Sequence, residues 1–292
     1  MKVFVVGRTG QLARELAGIA WPDGIQFVQA GRDQCDLGDP VAIADALLAA
    51  RPDVVVNAAA YTAVDRAETE PEIARRINAA GPAALACGCA ELGAALVHVS
   101  TDYVFDGRKN GAYREDDPVN PLSVYGRTKL EGERAVRDTL PRHVIIRTSW
   151  VFSAQGSNFV KTMLRIGPER GEVRVVADQF GSPTSARHIA QAIATIVTAV
   201  SEDRGTWGTF HFASAEPVSW FDFARAIFDA AELPAPVKVS PITAAEFGAA
   251  AQRPANSVLD CARIRAAYGI ERPSWRAALN QTLAELETAE TP

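Results

Sequence analysis

Tyr125 and Lys129 stand four residues apart in the segment Tyr125-Gly126-Arg127-Thr128-Lys129. On a helix this spacing puts both side chains on one face. An ammonium beside a phenol stabilises the tyrosinate and lowers the tyrosine pKa. Such a pair can exchange a proton with a carbonyl or an alcohol near neutrality. A hydroxyl to hold the reacting oxygen is offered by Ser100-Thr101-Asp102-Tyr103, which follows an apolar run. Near the start of the chain, Gly7-Arg8-Thr9-Gly10-Gln11-Leu12-Ala13 has the form GxxGxxA between an apolar run and a helical pattern. The first glycine permits a tight turn, and the second lets backbone N–H groups approach a pyrophosphate at a helix N-terminus. Gly7, Gly10, Gln11 and Leu12 are therefore candidate dinucleotide contacts.

The next strand ends in Gln29-Ala30-Gly31-Arg32. An NAD-selective site would carry Asp or Glu here for the ribose 2′-hydroxyl. Arg32 instead suits a 2′-phosphate, with Arg8 in support, so NADPH is expected over NADH, and use of NADH is left open. Asp36 and Leu37 are placed to flank the adenine. The small side chains of Asn57-Ala58-Ala59-Ala60 leave room for the cofactor at the same sheet edge. Ala58, Ala59, Ala60 and the following Tyr61 are further expected cofactor contacts, and Tyr125 and Lys129 are expected to touch the cofactor as well.

These groups need a scaffold to bring them together. Apolar runs at 2–6, 25–30, 54–56, 95–100 and 144–148 read as buried strands. Helical patterns cover 11–20, 72–92 and a stretch from after Pro121 to about Leu140. Asp39 and Pro40 open a further helix to about Ala50, as N-cap and N1 residues. Alternating strands and helices predict an α/β fold: a Rossmann-like doubly wound parallel sheet with a smaller C-terminal α/β substrate domain. Residues 1–150 are expected to form the NADP-binding domain and 151–292 mainly the substrate-binding domain. The chain is expected to return to the first domain near 200–215. Further strands are expected at 173–177 and 210–213, and helices at 186–200 and 220–231.

Composition sets outer bounds. The 292 residues carry 30 Lys plus Arg against 35 Asp plus Glu, a net charge of −5, with 48% hydrophobic residues. Global disorder is excluded, and nucleic acid and anionic membranes are disfavoured as partners. The apolar stretch before Gly7 is too short for a signal-peptide core, and no run approaches a membrane span. A cytoplasmic protein is expected, with Cys35, Cys87, Cys89 and Cys261 as unreactive thiols. His98, His143, His188 and His211 show no ligand spacing.

The glycine loop, the strand-end hydroxyl and the YxxxK helix stand in the order of the short-chain dehydrogenase/reductase family. Within it, Ser100-Thr101-Asp102-Tyr103-Val104-Phe105-Asp106-Gly107 resembles the signature of dTDP-4-dehydrorhamnose reductases. Gly10-Gln11-Leu12, the segment from Asn57 to Asp65, the segment from Arg147 to Phe152, and Arg253-Pro254-Ala255-Asn256-Ser257 agree with it, so the resemblance covers nearly the whole chain. It implies NADPH-dependent reduction of the C4 keto group of dTDP-4-dehydro-β-L-rhamnose. Tyr125 would donate the proton, Lys129 would hold the nicotinamide ribose and depress the tyrosine pKa, and Thr101 would position the carbonyl oxygen. The resemblance further implies sugar contacts from Val64, Asp102 and Trp150, and nucleotide-end contacts from Asn158, Gln179, Arg253 and Asn256. Arg253 would supply charge for the diphosphate.

By the same resemblance, some relatives join subunits through a metal held by acidic residues. Glu15 matches one such position, but the other appears as Arg187, a poor neighbour for a divalent cation, so no structural metal is expected. A homodimer is left open. Two other readings remain. An epimerase or dehydratase that retains NAD would favour an acidic residue near position 30, and a dehydratase a second acid where Tyr103 stands. A non-catalytic NADP-binding regulatory subunit would be favoured by loss of Tyr125 or Lys129, and both are present.

Overall fold

The computed structural model describes residues 1–290. The first half alternates β1 (Lys2–Val6), α1 (Gln11–Gly18), β2 (Gln26–Ala30), α2 (Pro40–Ala50) and β3 (Val54–Asn57). Short helices α3 (Val64–Ala67) and α4 (Pro71–Arg75) lead through a π-helical turn at Arg76–Ala80 into α5 (Gly81–Leu92), then β4 (Ala95–Thr101), α6 (Val124–Thr139) and β5 (His143–Thr148). The second half comprises β6 (Val151–Phe152), α7 (Phe159–Arg170), β7 (Glu172–Val176), β8 (Phe180–Gly181), β9 (Thr184–Ser185), α8 (Ala186–Ser201) and β10 (Gly208–His211). It ends with β11 (Val218–Ser219), α9 (Trp220–Ala230), β12 (Lys238–Ile242), α10 (Ala244–Phe247), α11 (Ala262–Tyr268) and α12 (Trp275–Glu290).

Six parallel strands form the central sheet in the order β10-β5-β4-β3-β1-β2. The central strands are apolar because helices cover both faces: every residue of β3 is buried. One apolar cluster joins Val3, Val5, Val54, Val56 and Val97 to Leu12, Leu16 and Ile193. The opposite one joins Phe4, Val55 and Leu96 to Ile43, Leu47 and Leu85. After the excursion from β6 to β9, α8 packs against α1 and β10 pairs with β5. The remaining two-stranded pairs, β7–β12, β8–β11 and β6–β9, with α7, α9 and α12, enclose a third core around Phe152, Phe223 and Trp275.

Local chemistry explains the boundaries. Asp39 caps α2, accepting from the Val41 N–H at 2.9 Å, with Pro40 at N1. Ser123 caps α6, accepting from the Gly126 N–H at 3.2 Å. The helix expected over 72–92 starts at Pro71 and is interrupted by the π turn. There Asn78 pushes its backbone carbonyl against Gly132 of α6, where any Cβ would collide with it. Such a tertiary contact leaves no periodic trace. The strand expected at 210–213 lies at 208–211. The sequence pattern does not mark helices α3, α7, α10, α11 and α12 or strands β6, β8, β9, β11 and β12; α7 opens on an Asn158 cap and carries Pro168 in its last turn.

Candidate active site

The glycine loop joins β1 to α1 with its backbone open to a long cavity. Gly7 adopts φ +118°, and a Cβ there would press on Ala58 and Ala59 at 3.4 Å. Gly10 is the N-cap of α1 and offers no side chain to the first-turn N–H groups. Among the described residues no atom lies within 4 Å of where its Cβ would be. Unpaired amides facing open space at a helix N-terminus suit a pyrophosphate, so these residues fit a dinucleotide.

The cavity has a volume of about 620 Å³ and is lined along its length by Gly7, Gly10, Gln11, Leu12, Arg32, Asp36, Leu37 and Ala58–Ala60, then by Val64, Thr101, Asp102, Tyr125, Lys129, Trp150 and Asn158. At the far end Arg32 Nε lies 3.1 Å from Asp36 Oδ2. Asp36 also accepts from the Gly38 N–H at 2.8 Å, and this bond, then Arg32, holds its carboxyl below the ordinary range. Arg8 pairs with Asp33 and Gln34. A third guanidinium, Arg76 of the π turn, lies beside Gly38 and Asp36. Sequence reasoning missed Arg76, because only the π turn and the packing of Leu37 on Gly81 bring it there.

Asn57 shapes the loop after β3. Its Oδ1 accepts from the Ala59 N–H at 3.2 Å, and its amide meets His98 Nδ1 at 3.1 Å. Tyr61 does not join the lining: its hydroxyl donates to Glu70 at 2.6 Å. Its N–H and C=O are gripped by the Asn78 amide at 2.9 and 3.0 Å, which also reaches Thr128 Oγ1 at 3.3 Å. Asn78 thereby ties the cofactor loop to α6.

At the centre, α6 presents Tyr125 and Lys129 to the end of β4. Lys129 is 2% exposed, and its Nζ donates to the Val99 carbonyl at 2.7 Å. Burial lowers its pKa to about 8, against the opposing pull of Glu133. Burial pushes the Tyr125 phenol up to about 12, and the Thr101 hydroxyl is the neighbour that lowers it. The expected depression of the tyrosine pKa by Lys129 is thus not realised here: burial sets the phenol's pKa, and the ammonium points to Val99. Thr101 Oγ1 donates to Asp102 Oδ1 at 3.0 Å and accepts from the Tyr103 N–H at 3.1 Å. Asp102 is 2% exposed, its Oδ2 has no hydrogen-bond partner among the described residues, and burial raises its pKa to about 7. Tyr103, at the place of a second acid, meets Tyr125 edge to face at 5.8 Å.

The other wall comes from the second half of the chain. Trp150 adopts φ +47° and stacks on Trp220 with centroids 3.5 Å apart and planes 7° apart. Trp220 opens α9 and also lines the cavity; the sequence carried no sign of it beyond an aromatic at a helix start. Asn158 reaches the cavity with its amide already committed, donating to Gln11 Oε1 at 2.9 Å and the Ser153 carbonyl at 2.7 Å.

Three expected nucleotide contacts do not line the cavity. Gln179 is buried, 8% exposed, beside β8. Arg253 is bound by Asp65. Asn256 donates to the Lys109 and Gly111 carbonyls at 2.8 and 2.7 Å, bracing the loop after β4. The resemblance implies nucleotide contacts for these three, but side-chain direction is set by segment pairing, as where Phe180 binds Ala255 and Ser257.

Away from the cavity, Arg187 lies between Glu15 at 3.3 Å and Glu285 at 2.7 Å. Among the described residues, no group of three or more His, Cys, Asp or Glu is gathered to hold a metal ion, and no helix is long and apolar enough to cross a membrane.

Comparison with known proteins agrees along the full chain. Residues 1–288 match the family described as "RmlD substrate binding domain". A dTDP-4-dehydrorhamnose reductase of Sinorhizobium fredii is 44% identical, covering 94% of each chain. Its counterpart from Burkholderia thailandensis is also 44% identical, covering 98% of this chain and 99% of that one. The crystal structure of the Bacillus anthracis dTDP-4-dehydrorhamnose reductase in complex with NADP superposes with a TM-score of 0.91 at 36% identity, covering 97% of this chain and 99% of that one.

Proposed function

The chain belongs to the dTDP-4-dehydrorhamnose reductase family, and on that premise we propose how its own residues carry out the reaction. The enzyme is an NADPH-dependent oxidoreductase. Its substrate is dTDP-4-dehydro-β-L-rhamnose, reduced at C4 to dTDP-β-L-rhamnose. The observation that carries the assignment of roles is the meeting of Thr101, Tyr125 and Lys129 midway along one cavity, between the open amides of α1 and the Trp150–Trp220 wall.

Bound NADPH supplies the hydride, and the protein supplies orientation and proton transfer. The N-terminus of α1 would hold the pyrophosphate, and Arg32 with Arg8 and Arg76 would supply positive charge for the 2′-phosphate. On substrate binding the Thr101 hydroxyl turns its one proton from Asp102 to the C4 oxygen and fixes that oxygen beside the phenol. Tyr125 donates its proton to that oxygen as charge develops there; a phenol kept protonated by burial is in the correct state to do so. Lys129 would bind the nicotinamide ribose, and its ammonium, released from the Val99 carbonyl, would offset the negative charge left on Tyr125. Val64, Asp102 and Trp150 enclose the sugar. Asn158, Gln179, Arg253 and Asn256 shape the nucleotide end, the last three through the segments they brace.

On this reading residues 1–150, with the returning α8 and β10, serve mainly the cofactor, and the remainder serves mainly the nucleotide sugar. We further read the enzyme as cytoplasmic and leave a homodimer as the assembly to be tested by sedimentation. Consumption of NADPH on addition of dTDP-4-dehydrorhamnose tests the activity; a folded protein without that turnover contradicts it.

A further inference from the structure

Helix α6 sends two side chains to consecutive residues of β4. Lys129 Nζ donates to the Val99 carbonyl at 2.7 Å, and one helical turn later Glu133 accepts from the Ser100 hydroxyl at 2.6 Å. Thr101 follows directly. Glu133 is fully buried. Its carboxylate takes the two-pronged guanidinium of Arg147 on β5, with Nε at 2.9 Å and Nη2 at 2.7 Å, and Arg137 at 3.2 Å closes its outer side. Arg147 is 3% exposed. A buried ion pair adds little net stability, because desolving both charges offsets their attraction. None of the steps above uses this one, although it lies directly beneath them.

We propose that Glu133 and Arg147 are positioning residues for the reduction: Glu133 is the buried counter-charge that keeps Lys129 an ammonium, and Arg147 balances Glu133. The inference rests on the role given to Lys129 above. The groups facing the pair can be named. On α6 itself they are Lys129 and Arg137. From β4 come the Ser100 hydroxyl and His98, which feels the Lys129 charge and is held neutral by burial. From β5 comes Arg147, and from β10 His211, its Nε2 3.4 Å from Arg147 Nη1 and its pKa pushed down to about 3. The π-helical turn packed on α6 contributes the uncharged Asn78 amide. The loop before α6 adds Glu115, whose backbone carbonyl accepts from Arg147 Nη1 at 3.4 Å and whose carboxylate accepts from the His211 N–H at 2.9 Å. Glu133 is the carboxylate that acts on Lys129. Burial alone would drive the lysine toward its neutral form, and Glu133 opposes that drift.

The test exploits the small number of lysines, which are Lys2, Lys109, Lys129, Lys161 and Lys238. The full-length protein is labelled with [13C]lysine and the Lys129 side chain is titrated by NMR, its resonance assigned by Lys129→Arg. In Glu133→Gln the unbalanced Arg147 cation moves the Lys129 midpoint to lower pH, by about one unit or more. In Arg147→Met the unbalanced carboxylate moves it to higher pH. The double variant Glu133→Gln/Arg147→Met returns it close to the wild-type value. Opposite shifts are the signature of charge balance; a mere structural brace would disturb both variants alike. An unchanged midpoint in folded Glu133→Gln, or shifts of the same sign in both single variants, overturns the proposal. If one single variant fails to fold, the sign of the other, compared with the double variant, decides. The titration needs no turnover, so its outcome is separate from whether the proposed substrate is reduced.

Discussion

Arg253 and Asp65 form a two-point ion pair, with Nη1 3.0 Å from Oδ1 and Nη2 2.8 Å from Oδ2, and the same carboxylate accepts from the Ala251 N–H at 3.0 Å. The guanidinium expected to hold a sugar diphosphate is therefore anchored to α3, directly after the cavity residue Val64. The Asp65 carboxyl lies below its ordinary range, chiefly because Arg253 donates to it. Asp65 is nearly half exposed, so the pair is worth only about 1 kcal/mol. Asp65→Asn should lower stability in urea by about that amount. It should raise KM for the nucleotide sugar severalfold while leaving NADPH affinity unchanged. An unchanged KM would remove this pair from substrate binding.

Gly181 lies against the Trp150 ring, where a Cβ would come within 2.5 Å of Cε2. Gly181→Ala must therefore displace the Trp150–Trp220 stack. Overpacking of this kind costs about 1–3 kcal/mol of stability, and the displaced stack should also raise KM for the sugar nucleotide, roughly tenfold for each ~1.4 kcal/mol of lost contact. NADPH titration of the same variant should match wild type, and a parallel loss of cofactor affinity would point to general disruption.

Asp102 makes a pH-dependent contribution with a definite sign. Its folded pKa of about 7 is raised by burial, above an ordinary unfolded value near 4. The neutral acid suits the fold, so the associated stability is present at low pH and is lost as pH rises through about 7. Asp102→Asn removes the penalty of ionisation. Relative to wild type, its stability should rise between about pH 4 and pH 7 by about 4 kcal/mol and then level off. Parallel denaturation curves at pH 5 and pH 8 check this; a constant difference would mean that Asp102 does not titrate there.

Arg32 is exposed and shared with Asp36, yet it lies at the cavity end where a 2′-phosphate would rest. Arg32→Ala should weaken NADPH binding about tenfold, the loss of one charge-assisted hydrogen bond, and should leave NADH binding nearly unchanged. Equal losses for the two cofactors would place the 2′-phosphate elsewhere.

The legible part of this protein was what short segments encode on their own. Apolar runs gave the five leading strands, the Asp39-Pro40 pair gave the start of α2, and the spacing of Tyr125 and Lys129 put both on the cavity wall. What stayed hidden depended on contacts between distant segments. The π turn that carries Arg76 and Asn78 exists because Gly132 admits a backbone carbonyl. Trp220 reaches the cavity through its stack on Trp150. Asn256 is spent on the loop carbonyls of Lys109 and Gly111. The pKa of Tyr125 is hidden for a related reason: spacing reveals the neighbouring ammonium, whereas depth of burial emerges only from the packed fold.

Direct proton donation by Tyr125 is the central claim, and Tyr125→Phe tests it most directly. The measurement is NADPH consumption with dTDP-4-dehydrorhamnose under saturating conditions, alongside NADPH affinity measured separately. The variant should bind NADPH as wild type does and lose turnover by a factor of about 10²–10⁴, the usual contribution of a positioned acid. Near-normal turnover in a folded Tyr125→Phe variant would contradict the account.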